Sequence, residues 1–109
     1  MPLLSRDTAN VQGAAGKANI GNQDGGLITT EALATAAGAT LTYVIASAQI
    51  EADSVVLVSI QNGSNSQGDP SLQLVNSQTV LGQVTITIVN RHASQAFNGS
   101  LIIGVIIFN

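Results

Sequence analysis

The stretch Gly82-Gln-Val-Thr-Ile-Thr-Ile-Val-Asn90 decides the fold. Val84, Ile86 and Ile88 alternate with Thr85 and Thr87, so an extended backbone puts the aliphatic groups on one face and the hydroxyls on the other. β-branched residues favour the pleated conformation. One apolar face and one polar face predict a strand over 84–89 with a core on one side and water on the other.

Working outward, the same period recurs. Over 40–46, Leu41, Tyr43 and Ile45 share a face opposite Thr42; over 71–75, Leu72 and Leu74 fall together. Two runs differ. Residues 54–60 contain Val55, Val56, Leu57 and Val58 in succession. Residues 101–108 set Leu101, Ile103, Val105 and Ile107 against Ile102, Ile106 and Phe108. A strand that is apolar on both faces is expected where protein covers both. Asn62-Gly63, Gly68-Asp69-Pro70 and Asn98-Gly99 punctuate the runs as turns, because Asn and Gly tolerate positive φ and Pro presets a corner. Short strands at this spacing, with no room for crossover helices, predict an all-β chain. We expect an antiparallel β-sandwich or a jelly-roll-like barrel.

Residues 1–26 show no sustained period and are rich in Gly, Ala, Asn and Gln. They are expected to form an extended N-terminal arm, with 27–109 as the β-sandwich domain. Leu3, Leu4, Val11 and Ile20 stand alone along the arm, each able to plug a pocket on a neighbouring protein. Residues 27–37 read two ways: a short helix capped by Thr30 and ended by Gly38, or an edge strand.

Composition points to a chain that completes itself with copies. Of 109 residues only 8% are charged, against about 25% in ordinary soluble domains. A domain this small supplies about 3–5 kcal/mol from its core unless it is stapled. The absence of cysteine rules out disulfides and thiolate metal sites, which leaves oligomerisation. One sandwich has one interior layer, so the second faces of 54–60 and 101–108 are expected to meet protein. The subunit interface is expected at Val56, Val58, Ile102, Gly104, Ile106 and Phe108, with the N-terminal region folded over the sheet as the alternative cover. Four to six such side chains, at roughly 1.5–3 kcal/mol each, contribute on the order of 10 kcal/mol gross per subunit. Gly104 fits either close backbone approach at a symmetry axis or a bulge.

Other classes find little support. Arg6, Lys17 and Arg91 are the only cations in a chain of net charge −3, so no nucleic-acid surface is expected. No run reaches the ~18 to 20 apolar residues of a membrane helix, and no export signal opens the chain, so no membrane partner is expected and assembly in the cytoplasm is. Two glycosylation sequons, at Asn62 and Asn98, are read as chance in an Asn-rich chain. His92 has no carboxylate nearby in sequence to orient it toward Ser94 or Ser100, and it reads as a hydrogen-bonding loop residue. Glu51 and Asp53 read as a solvated turn, because calcium needs more oxygen ligands at loop spacing. No catalytic, cofactor or metal site is expected.

The run from Leu41 to Phe108 resembles a family of small virion proteins of tailed bacteriophages. Asp53-Ser-Val-Val-Leu-Val-Ser-Ile-Gln-Asn62 looks like their strand-and-loop entry, and Gly82 to Asn90 like their late alternating strand. Asn98-Gly-Ser-Leu-Ile-Ile-Gly-Val-Ile-Ile-Phe108 looks like their closing strand, and is similar to the last strand of trimeric jelly-rolls of the tumour-necrosis-factor type. The resemblance implies a homotrimeric capsid decoration (cement) protein on the capsid surface, binding the major capsid protein, with the arm reaching onto the shell. It carries over no catalytic residue and no cofactor. The alternative is a fibre head recognising a receptor or glycan through the loops 62–70 and 90–99, where Phe97 is the candidate aromatic platform.

Overall fold

The computed structural model describes residues 8–21, 23–75 and 81–108, and among these it forms eight strands and no helix. They are β1 Thr8–Gln12, β2 Lys17–Asn19, β3 Gly25–Thr29, β4 Thr40–Ala46, β5 Val55–Asn62, β6 Pro70–Val75, β7 Gln83–Asn90 and β8 Leu101–Phe108. Two four-stranded sheets, ordered β1-β3-β8-β5 and β2-β4-β7-β6, pack together as a sandwich. The alternating stretch in β7 lies inside the second sheet, and Val84, Ile86 and Ile88 are buried in one core with Ile28, Leu101 and Ile103 of the first.

The sheets are mixed, not purely antiparallel as expected. β1 runs parallel to β3, and β2 parallel to β4; the remaining pairs are antiparallel. The chain crosses from sheet to sheet at each step from β1 to β5, so strands two apart in sequence become neighbours running the same way. Only β6 and β7 are both consecutive and paired.

Residues 8–26 correct the arm. They supply β1, β2 and the start of β3, and the expected boundary between 26 and 27 falls inside β3. Ile20 is buried in the chain's own core together with Ala18, and Val11 packs against that core, so neither projects toward a neighbour. Short strands need only one or two inward side chains each, and the sparse apolar residues among the glycines supply them. Leu3 and Leu4 lie outside the described residues.

The ambiguous 27–37 segment begins as strand β3, and its expected helix cap serves the ladder instead. Thr30 donates its N–H to the Leu101 carbonyl (2.9 Å), and its hydroxyl accepts the Leu101 N–H (2.9 Å). Glu31, the next residue, straps three elements together. Its carboxylate accepts the Gly16 N–H from the β1–β2 turn (2.8 Å) and the hydroxyl of Tyr43 in β4 (2.8 Å). Gly13 makes room for this, since a Cβ there would fall on the Tyr43 hydroxyl.

Burial pushes the Glu31 carboxyl up, but hydrogen bonds from its own backbone N–H, from Tyr43 and from Gly16 outweigh burial and hold it below its ordinary 4.5. Burial, then the hydrogen bond and charge of Glu31, push Tyr43 well above the ordinary phenol range. A carboxyl depressed in the folded state contributes stability that is present above its unfolded value and lost as pH falls through the folded one. Urea midpoints of the wild-type protein should therefore drop as pH falls below about 4.5. In Glu31→Gln the midpoint should be lower at neutral pH and should fall less steeply through the acid range. Parallel slopes for the two proteins would exclude the strap as the source.

Candidate functional site

Strand β8 fixes the geometry of the most exposed apolar surface. It lies between β3 and β5, and its odd-numbered residues Leu101, Ile103, Val105 and Ile107 point into the core. Its even-numbered residues therefore face away from the second sheet: Ile102, Gly104 and Ile106 are half-buried and Phe108 is exposed. The β5–β8 register pairs Val55 with Phe108 and Leu57 with Ile106, and the β3–β8 register pairs Leu27 with Gly104. Leu27, Val55, Leu57 and Phe108 are 51%, 57%, 50% and 39% exposed, four of the six large apolar side chains so exposed among the described residues. The other two, Leu74 in β6 and Leu81 just before β7, lie off this face. No residue of β3, β5 or β8 is charged.

This result splits the expected interface set. Ile102, Gly104, Ile106 and Phe108 share the outward face. Val56 and Val58 do not: they pair with Ile107 and Val105, share the inward face with them, and belong to or pack against the core. Four apolar residues in a row hide the phase of β5. The signal lay further along the strand, where the polar Ser59 and Gln61 share parity with Val55 and Leu57 and mark the outward side. Gly104 is not at a bulge, since both flanking registers run through it unbroken.

At one end of the sandwich, the loops 62–70 and 90–99 meet through uncharged polar groups. Asn90 is fully buried, and its side chain makes four hydrogen bonds. Its Oδ1 accepts the N–H groups of Asp69 (3.0 Å) and His92 (3.1 Å), while Nδ2 donates to the carbonyls of Thr35 (3.1 Å) and Gln95 (2.8 Å). The side chain of Asn65, also buried, donates to Asn62 Oδ1 and the Gln67 carbonyl and accepts the Asn98 N–H. Asn98 in turn accepts the Ser66 N–H (2.7 Å). Ser64 and Ser100 bridge the loops alongside.

His92 closes its own turn: Nδ1 accepts the N–H groups of Ser94 and Gln95, each at 3.0 Å. The imidazole nitrogen that a Ser94 nucleophile would need is thus already occupied by backbone. Glu51 and Asp53 are exposed, at a turn where Ser54 Oγ accepts the Glu51 N–H. Phe97 is buried in the core, so it does not present a flat ring to a sugar, and Tyr43 is buried as well. Among the described residues no group of three or more His, Asp or Glu is arranged to hold a metal ion.

Comparisons with known proteins return no matching family model, no matching curated protein and no matching solved structure.

Asn90→Ala should destabilise the fold by about 2–4 kcal/mol, because it strands two N–H groups and two carbonyls inside the loop end. Asn90→Asp should cost a comparable amount, since it keeps the acceptor but turns the two donated bonds into repulsions. Urea unfolding of the two variants beside the wild type measures both; a loss under about 1 kcal/mol for each would show that the loops are held some other way.

Proposed function

We propose that this chain is a non-enzymatic structural protein of a phage virion. In this reading it is a homotrimeric capsid decoration protein that stabilises the head by binding the major capsid protein from outside, after assembly in the host cytoplasm. The supporting observation is the uncharged apolar face of β3, β8 and β5, which a two-layer sandwich has no layer of its own to cover. Two four-stranded sheets are also the layer arrangement of the jelly-roll subunits found in viral capsids. The arm's role falls to the residues before β1, where Leu3 and Leu4 are the apolar contacts assigned to the shell.

The size of the face sets the strength of the contact. With Val56 and Val58 turned inward, four half-exposed and two half-buried apolar side chains remain. Covering them contributes on the order of 5 kcal/mol per copy, half of what the sequence suggests. Association costs about 4–15 kcal/mol, so this face alone makes a weak trimer. A decoration protein fits that balance, since the shell holds its subunits at high local concentration and adds its own contacts.

Light scattering of the purified protein should give a concentration-dependent mass that passes through three copies, and Leu57→Lys or Ile106→Glu should remove the three-copy species. Deleting residues 2–7 should leave the self-association intact and abolish cosedimentation with capsids. A wild-type protein that stays at one copy well above micromolar concentration sinks the trimer, and a truncated chain that still cosediments sinks the arm contact.

A further inference from the structure

The two sheets have four border strands: β1 and β5 in the first, β2 and β6 in the second. A border strand presents a row of unpaired N–H and C=O groups that another chain can extend, and proteins ordinarily blunt such edges. Three of these are blunted. β1 has five residues and β2 three, while β6 opens with Pro70 and carries a register break between Leu72 and Leu74. β5 is different: it has eight residues, holds one unbroken register on β8, and contains no Pro, Gly or charge.

The hydrogen-bond alternation shows which groups are free. Gly63, directly after β5, donates its N–H to the Ser100 carbonyl (2.9 Å), continuing the β5–β8 ladder. In an antiparallel ladder every second residue bonds to a given neighbour. Odd-numbered residues of β5 therefore bond to β8, and Val56, Val58, Ile60 and Asn62 direct their N–H and C=O groups away from β8, where β6 of the other sheet comes close but no described strand is hydrogen-bonded to β5.

We propose that β5 pairs antiparallel with β5 of a second copy about a two-fold axis, joining two four-stranded sheets into one of eight. The charges select the antiparallel direction, and self-complementarity selects a second copy. Glu51 and Asp53 precede the strand, whereas residues 54–68 carry no charge. Antiparallel pairing centred on Ser59 sets Asp53 and Glu51 beside the neutral Asn65–Gln67 stretch of the other copy; parallel pairing would stack like charges. An antiparallel pair of identical strands is also self-complementary, every donor meeting an acceptor. Centred on Ser59, the register sets Val56 against Asn62 and Val58 against Ile60 of the second copy, with the two Ser59 residues opposed. The outward Val55, Leu57 and Phe108 side chains of both copies then lie on one surface. This contact is isologous and distinct from the three-fold packing proposed above.

The chain has no cysteine, so a single introduced thiol reports cleanly. Two opposed residues of a non-hydrogen-bonded antiparallel pair have Cα atoms about 4.5 Å apart, within disulfide range. Ser59→Cys, oxidised with copper–phenanthroline, should give a covalent dimer, whereas Ser94→Cys at the loop end should not. Adding Val58→Pro to Ser59→Cys removes one outward N–H and leaves the β8 ladder intact, and should lower the dimer yield roughly tenfold or more. Amide exchange of the unmodified protein supplies a readout free of mutations: on dilution Val56, Val58, Ile60 and Asn62 should lose protection while the odd-numbered amides of β5 keep theirs. No cross-link, or a cross-link that persists with Val58→Pro, overturns the pairing. A three-copy mass in either case leaves the trimer reading standing. Protection of the even-numbered amides that appears only on capsids overturns it too, because the occupant is then a strand of the shell.

Discussion

A two-layer sandwich has one interior, and strand β8 has more apolar surface than one interior can take. Its hydrogen bonds to β3 and β5 fix it in the middle of its sheet, so it cannot move to a border where its second face would count for less. The odd-numbered residues fill the core. Ile102, Ile106 and Phe108 are then forced outward beside Leu27, Val55 and Leu57. The exposed face is thus a direct consequence of placing a doubly apolar strand centrally. It would shrink only if the strand's sequence changed.

At the loop end the chain is held by amides in place of charges. Asn90, Asn65 and Asn98 tie together three loops that, in a charge-rich domain, ion pairs would hold. An Asn side chain offers two donors and two acceptors without the desolvation penalty of an ion, so it can be buried whole when all four are matched, as Asn90 is. Such a network is indifferent to salt and to pH across the neutral range. Glu31 is the exception. Its carboxylate joins the β1–β2 turn to β4 by offering a separate oxygen to each donor, Oε2 to Gly16 and Oε1 to Tyr43.

Legibility in the sequence followed the strength of periodicity. β4, β7 and β8 could be read because alternation, or a long apolar run, survives over seven or eight residues. β1 and β2 could not. Strands of five and three residues with one or two inward groups leave no period to detect, and their parallel partners lie two strands away in sequence, beyond any hairpin signal. Of the six residues expected on the apolar face, Ile102, Gly104, Ile106 and Phe108 lie on it and Val56 and Val58 do not, because a run of four aliphatic residues is silent about phase. The polar loop end was visible only as turns; the burial of Asn65 and Asn90 depends on loops more than twenty residues apart coming together, which no local pattern encodes.

The geometry of β5 separates two surfaces that the sequence merges. Outward side chains belong to Val55, Leu57, Ser59 and Gln61, whereas the free backbone groups belong to Val56, Val58, Ile60 and Asn62. Side chains project perpendicular to a sheet and backbone groups within its plane, so one strand serves the face through its odd residues and the edge through its even ones. An apolar face attracts any apolar surface and says little about direction. A row of hydrogen-bonding groups accepts only an extended chain in register. In the proposals made above, the face carries the three-fold packing and the edge carries the two-fold pairing. In the pairing proposed above, Glu51 and Asp53 of the two copies lie at opposite ends of the strand pair, so the antiparallel direction meets no like charge.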